Sequence, residues 1–380
     1  MAFCKDQVDC NATSLDRMKL MNGKTLKYGF TTGSCAAAAV KGAAQMLRDQ
    51  TLIDEVDLHL PSGDTARFPL HGCRLTGKGA TCYVVKDAGD DPDVTNGCHV
   101  HATVEIDLFT RHRIVIQGGT GIGRVTKPGL ALKVGEWAIN PIPRRMIMEV
   151  VKEVFALRCV PATITITISI PNGEELAKKT INERLGIVGG LSILGTTGIV
   201  KPISTEAWTA TVDTSVNVAL ACGSDTVVLS TGRSSELAAQ SHLRDNGIHL
   251  KEESFVMMGD HFGYSLESCR IRKVPNVVVA GQFAKLVKIA CGHRQTHVSS
   301  AELDLAQVAA WLKDCPGLKH LEPLAREANT ARHLLEESGF SQGLIDLVCR
   351  KAAETCEKVA PGLPVRIFLA GYQGEKLYFG

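Results

Sequence analysis

Aromatic residues are scarce, at 5% of 380 positions. Long apolar runs are missing as well: none approaches the ~18–20 residues that a bilayer-spanning helix needs, so no membrane association is expected. Charge of one sign is also lacking. Lys and Arg number 42 against 40 Asp and Glu, for a formal net charge of +2, and no long basic run occurs. That balance argues against nucleic acid as the main partner. The 13 cysteines are odd in number, scattered, and never spaced as CxxC. They read as reduced thiols, many of them buried as small hydrophobes, and neither a disulfide framework nor a metal site is expected. The N-terminal MAFCKDQVDCNATSLD carries charges and no apolar signal core, so a cytoplasmic location is expected. A GxxxxGK[ST] phosphate loop is absent too.

Glycine, by contrast, is plentiful at 36 residues, many of them in turn-like clusters where backbone must approach something closely. A 44% hydrophobic content over this length fits a well-cored soluble protein of two or three domains. Residues 1–26 read as a loose lead-in and Ser34 to about Leu47 as a helix. VDLHL (56–60), TCYVV (81–85), VHATVEIDL (100–108), RIVIQ (113–117) and TITITISI (163–170) read as strands, and PRRMIMEVVKEVFAL (143–157) as an amphipathic helix. This mixture predicts an α+β N-terminal domain over 1–203. From 204 to 380 the rhythm changes. TVVLS (226–230), SFVMM (254–258) and NVVVA (276–280) each lead through a glycine turn into a helical stretch. Helices then dominate from Ala301 to Val359, with a last strand at 364–370. That repeat predicts an α/β Rossmann-like domain with a parallel sheet, which binds ligands at the carboxyl ends of its strands.

Several stretches carry candidate chemistry. In YGFTTGSCAAAAV (28–40), Thr32 or Ser34 caps a helix of very small residues. A helix start of this kind suits an anion bound by Thr31, Thr32, Gly33 and Ser34; the competing reading is tight packing of a small-residue helix on a sheet. FTTGS (30–34) is echoed by GTTGI (195–199), and GGTGIGRVTKP (118–128) by GGLSILGTTGIVKP (189–202), so Thr196 and Thr197 join the candidates as part of a facing turn. The run RIVIQGGTGIGR has GxGxG spacing and Pro128 where a helix should follow, so it is no dinucleotide fingerprint. It remains a glycine-rich strand-to-loop element with Gly119, Gly121, Arg124 and Lys127.

KDAGDDPDVTNG (86–97) clusters four aspartates without EF-hand spacing, and reads either as a self-capped acidic turn or as the source of a proton acceptor. Arg144, at the start of the 143–157 helix, and Lys178 add cations beside glycine loops, which suits a large polyanionic ligand. In the second half, Gly232 lies in the turn after TVVLS, and Lys285 and His297 lie near the turn after NVVVA.

Taken in order, YGFTTGSCAAAA, KDAGDDPDVTNG, GGTGIGRVTKPGL, VGEWAINPIPR and LGIVGGLSILGTTGIVKP closely resemble the CbiD family. The likeness is dense over 27–203 and continues less strictly through 276–304. Thr231-Gly232-Arg233, Met258-Gly259 and Gly281-Gln282-Phe283-Ala284-Lys285 depart from the family's usual turns. The resemblance implies a cobalt-precorrin-5B C1-methyltransferase of anaerobic cobalamin biosynthesis. S-adenosylmethionine is then the methyl donor, and cobalt enters only as part of the corrinoid substrate. Backbone amides at helix starts, with Arg124, Arg144 and Lys178, would hold the substrate's carboxylate arms, and Asp87 or Asp90 would assist charge balance or proton transfer. Two other classes are carried as alternatives: a phosphate-using small-molecule kinase, and a non-catalytic corrinoid-binding protein. A homo-oligomer is compatible with either domain.

Overall fold

The computed structural model describes residues 18–21, 24–108, 110, 113–155 and 162–380. Most of the 1–26 lead-in, and the last two residues of the helix expected over 143–157, lie outside the described residues. The chain divides into two compact units, Met1–Ser204 and Thr205–Gly380.

The first unit opens with an antiparallel hairpin, β1 (Met18–Met21) with β2 (Lys24–Lys27), so the lead-in ends in strand pairing rather than loose chain. A two-residue strand, β3 (Gly29–Phe30), runs into α1 (Thr32–Asp49). The helix starts where Thr31 caps it and ends where Gln50 takes a left-handed conformation (φ 52°). Between those points the alanines offer high helix propensity and almost no bulk. Residues 32–40 are buried all round, because α1 lies between a sheet and α2 (Pro141–Phe155).

That sheet has the order β6 (His71–Leu75), β7 (Gly79–Val85), β8 (His99–Leu108), β11 (Ala162–Ser169), β9 (Arg113–Gly118). All its pairs are antiparallel except β11 with β9, whose connection passes through α2. The period of two turns Ala80, Cys82 and Val84, then Val100, Ala102 and Val104, then Ile164, Ile166 and Ile168 into the core. Burying each isoleucine contributes about 1.5–3 kcal/mol. A separate hairpin, β4 (Glu55–His59) with β5 (Thr65–Pro69), seals one end of α1 with Val56, Leu58 and Phe68. The glycine loops supply β10 (Arg124–Val125), the short α3 (Gly173–Ala177), β12 (Ile187–Val188) and β13 (Ile199–Val200). β10 pairs with β12, and β13 pairs with β3.

The second unit begins with α4 (Thr205–Ala221) and alternates β14 (Thr226–Ser230), α5 (Arg233–Asp245), β15 (Phe255–Met257), α6 (Phe262–Ile271), β16 (Asn276–Gln282) and α7 (Phe283–Ala290). Helices α8 (Leu305–Lys313), α9 (Glu322–Glu327), α10 (Ala331–Glu337) and α11 (Gln342–Val359) precede β17 (Val365–Ala370) and β18 (Lys376–Phe379). The sheet order is β15-β14-β16-β17-β18, parallel except for β18. Both faces are apolar, as a sheet covered on two sides requires. Val227, Leu229, Val277 and Val279 face one core, while Val228, Val278, Ala280 and Phe368 face the other, packed by α5. The chain steps from β14 outward to β15 and returns past β14 to β16. By this reversal the carboxyl ends of β14 and β16 form the kind of switch point at whose crevice open α/β sheets take ligands.

Candidate functional site

The helix start at Thr31–Ser34 is closed. Thr31, Thr32 and Ser34 are at most 6% exposed, and Gly33 is buried. Gly33 N donates to Leu194 O (2.9 Å), and Ser34 N donates to Thr31 Oγ1 (3.2 Å). Thr31 N and Ser34 Oγ both reach Gly198 O, at 3.1 and 2.8 Å. Thr32 Oγ1 accepts from Leu194 N and donates to Leu194 O. The echoed segments therefore clasp one another. A Cβ on Gly195 would overlap Thr31, and one on Gly33 would stand 2.7 Å from Pro143 Cγ and 3.0 Å from Leu194 O. This corrects the anion reading of Thr31, Thr32, Gly33 and Ser34: the amides that would greet an anion are taken by protein oxygens, and packing explains the small residues.

The second echoed pair behaves alike. Gly119 N donates to Ile168 O, Gly123 N to Leu191 O, and Leu191 N to Gly121 O. Gly121 has φ +72°, and a Cβ there would overlap the Ile170 carbonyl. Gly121 thus lets backbone meet backbone, and a Cβ on Gly119 would run into the Ser169 and Thr167 side chains. Thr197 Oγ1 accepts from Ile199 N (3.3 Å), and Thr196 is exposed with no partner among the described residues.

The acidic turn is self-capped. Asp93 accepts from Thr95 N and Thr95 Oγ1 through one carboxylate oxygen and from Lys86 Nζ (2.6 Å) through the other. Lys86 is only 1% exposed, a buried cation that the sequence reading passed over. Asp87 binds Gly89 N and Lys27 Nζ, and Asp90 accepts from Lys27 N (2.6 Å). Burial pushes Asp87 up, but the Gly89 amide and the Lys27 ammonium outweigh it and hold the carboxyl below its ordinary range. A general base near neutrality needs the opposite shift. Asp87 and Asp90 therefore brace the 24–30 chain, and for Asp87 the proton-acceptor reading loses its electrostatic basis.

Of the basic candidates in this unit, Arg124 lies over the Trp137 ring at 3.7 Å and donates to Gly135 O (2.8 Å). Lys127 donates to Arg184 O (3.0 Å), and Lys178 pairs with Glu175 in solvent (2.6 Å). Arg144 is half-buried at the start of α2, and its guanidinium has no partner among the described residues. Of these four candidates, Arg124 and Arg144 are the ones without the carboxylate partner of Lys178 or the Lys127 tie to the Arg184 carbonyl.

The carboxyl edge of the second unit's parallel strands is built differently. Gly232 caps α5 in extended backbone, with nothing within 4 Å of where a Cβ would lie. Among the described residues no acceptor meets the amides of Arg233, Ser234 or Ser235. Glu236, 1% exposed, sits beneath this turn, bound by Arg233 and by Ser230 Oγ (3.3 Å). Ser230 O in turn accepts from Met258 N and Gly259 N, tying the turn after β14 to the one after β15.

Next to Gly259 stands a charged network. The Asp260 Oδ1 accepts from Lys285 Nζ and from Thr296 Oγ1 (2.7 Å). The Thr296 carbonyl accepts from both Lys285 Nζ (3.2 Å) and Lys288 Nζ (3.0 Å). Lys285 and Lys288 are three apart on α7, so they share a helix face. Gln295 Nε2 meets His261 Nδ1 at 3.1 Å, and Gln295 Oε1 is buried with no partner. A buried polar atom without a partner costs about 1–3 kcal/mol. Burial pushes Asp260 up, but Lys285 and Thr296 together hold it below the ordinary carboxylate range. Burial, then Lys285, draws Lys288 below an ordinary lysine.

Lys285 and Gly232 thus fall at one edge. Asp260, His261, Lys288, Gln295 and Thr296 went unread, although Lys-x-x-Lys after a β-run and Gly-Asp-His at the end of another were visible signals. His293 and His297 have the four-residue spacing of a helical metal pair, but they lie on irregular backbone. Among the described residues no group of three His, Cys, Asp or Glu side chains is placed to hold a metal. Two surface concavities lie in the first unit. One, of about 560 Å³, is lined by residues 52–54 and 70–73; the other, of about 360 Å³, is bordered by Leu58, Pro61, Arg145 and Glu149.

The CbiD sequence model matches residues 19–202, and the model described as "CbiD, C-terminal domain" matches residues 295–379. A protein of Citrifermentans bemidjiense named "Cobalt-precorrin-5B C(1)-methyltransferase" is 69% identical over 94% of this chain and 99% of its own length. Proteins of the same name from Geobacter sulfurreducens and Geobacillus sp. (strain WCH70) are 57% and 41% identical, over 95% and 93% of this chain and 100% and 96% of their own lengths. A crystal structure of a cobalamin biosynthesis protein (cbiD) from Archaeoglobus fulgidus is 28% identical, covering 73% of this chain and 84% of that one at a TM-score of 0.39.

Proposed function

The chain belongs to the CbiD family, and for this member we propose S-adenosylmethionine-dependent methylation of cobalt-precorrin-5B at C1, giving cobalt-precorrin-6A in anaerobic cobalamin biosynthesis. The observation that carries this is near-full-length identity of 41–69% to relatives that bear that enzyme name. The kinase alternative gains nothing from α1, where Gly33 N donates to Leu194 O and Ser34 N to Thr31 Oγ1.

The donor supplies a methyl group already activated on a sulfonium. The C1 carbon forms the new C–C bond, and sulfur keeps the electron pair of the breaking S–CH3 bond to become a neutral thioether. The protein's task is therefore alignment and charge placement more than proton transfer. This agrees with aspartates that are braced and ionised rather than poised as bases.

Over 1–203, Arg124 and Arg144 suit the macrocycle's carboxylate arms, since guanidinium–carboxylate pairs are strong and directional. Over 204–380, the open edge at Gly232 and Lys285 suits the donor, being the crevice that a parallel sheet offers to a nucleoside. No described helix is long and apolar enough to cross a membrane, and a cytoplasmic location fits the free thiols.

Anaerobic incubation with cobalt-precorrin-5B and methyl-labelled S-adenosylmethionine tests the reading. Label at C1 of the product is expected. Binding of the corrinoid without label transfer would instead favour a non-catalytic corrinoid binder, and consumption of ATP would favour a kinase.

A further inference from the structure

The network around Asp260 is unbalanced in a specific way. Lys285 pairs with the Asp260 carboxylate, while its neighbour Lys288, 8% exposed, has only the Thr296 carbonyl as acceptor among the described residues. Beside this excess positive charge stand two unused acceptors. All of Asp260's side-chain bonds run through Oδ1, so Oδ2 has no protein partner. Gln295 Oε1 is buried and has no donor. The site therefore asks for a negative group and a hydrogen-bond-donating or positive group together. A macrocycle's acetate or propionate arm supplies only the first. An α-amino acid supplies both.

The surrounding turns keep this network at the crevice. Trp208 Nε1 donates to Met258 O (3.1 Å), and its indole packs over Gly259, 6.1 Å from the His261 ring. Gly259 has φ +57°, and a Cβ there would stand 2.9 Å from the Trp208 ring, so the turn that delivers Asp260 needs glycine.

Resting on the methyltransferase reading, we propose that Lys285, Lys288, Asp260 and Gln295 form the subsite for the amino-acid end of S-adenosylmethionine. The lysines hold its carboxylate, and Asp260 Oδ2 with Gln295 Oε1 takes its ammonium. The reacting sulfonium is then held from its amino-acid side by the second unit.

Calorimetric titration of the full chain with S-adenosylhomocysteine and with 5′-methylthioadenosine, which lacks the amino-acid end, tests this. The wild-type chain is expected to prefer the former at least tenfold. Lys288→Met and Lys285→Met are expected to abolish that preference while leaving methylthioadenosine affinity unchanged, with Gln295→Leu giving a smaller loss in the same direction. If Lys288→Met does not fold, Lys285→Met at its half-exposed position decides. Equal weakening of both nucleosides would overturn the proposal, because the lysines would then support the fold rather than the amino-acid end. Unchanged affinity for both, with weakened corrinoid binding, would overturn it too and give the lysines to the macrocycle. A wild-type chain that binds neither nucleoside would sink the proposal together with the donor assignment, and it is the one result here that reaches that far.

Discussion

Each unit contains a strand that runs through a glycine turn into a helix, and the two treat it in opposite ways. At β3–α1 the first-turn amides meet Leu194 O and Thr31 Oγ1, and Gly33 lies against Pro143. At β14–α5 the amides of residues 233–235 meet no acceptor among the described residues, and Gly232 faces open space. The same sequence feature thus serves packing in one place and access in the other. What separates them is whether another backbone segment fills the space a side chain would have taken.

If the first unit's turns are structural, breaking them should cost stability before it costs chemistry. The largest effect is expected at Asp93→Ala, which leaves Lys86 buried and unpaired; losing one partner of a buried pair costs about 3–5 kcal/mol. Urea unfolding followed by far-UV dichroism would read this loss, and a shift below about 1 kcal/mol would contradict the brace.

Gly121→Ala should follow. Its positive φ and the overlap with the Ile170 carbonyl combine a backbone penalty with overpacking, for roughly 2–4 kcal/mol. The same denaturation experiment applies, and an unchanged midpoint would mean that the loop is open after all.

Acid sharpens the contrast further. Asp87 and Asp93 are held below the ordinary carboxylate range in the folded protein. Their contribution is therefore fully present above the unfolded value of about 4 and lost as pH falls through the lower folded value. Between pH 6 and pH 3 the wild-type midpoint should fall more steeply than that of Asp87→Asn, and parallel curves would remove the aspartate from the brace.

The smallest stability effect belongs to Gly232→Ala. Its extended backbone suits any residue and its surroundings are empty, so a change under about 1 kcal/mol is expected. Nucleoside affinity, measured alongside, should fall although the fold is intact.

Much of the architecture was legible from periodicity. TITITISI alternates because one face lies on α1 and α2, and TVVLS and NVVVA run apolar on both faces because helices cover each. VDLHL was read as a strand and is β4, whereas the hairpin β1–β2 and β5, the partner of β4, were less visible, since such short strands give too few residues for a strong pattern. The echo between residues 30–34 and 195–199 proved physical, as β3 pairs with β13. What the echo could not reveal is that each turn would occupy the other's hydrogen-bonding groups. Likewise, Lys285 stood out beside a glycine turn, whereas Gln295 and Thr296 act through contacts set by tertiary placement alone.

Hydrogen exchange on the full chain, with and without S-adenosylhomocysteine, tests the central contrast most directly. Added protection is expected at amides 230–235, 258–262 and 292–297, with residues 29–35 and 118–123 unchanged. Protection appearing at 29–35 or 118–123 while the second unit's edge stays unaltered would contradict the account, because the closed turns would then be the ones that receive the donor.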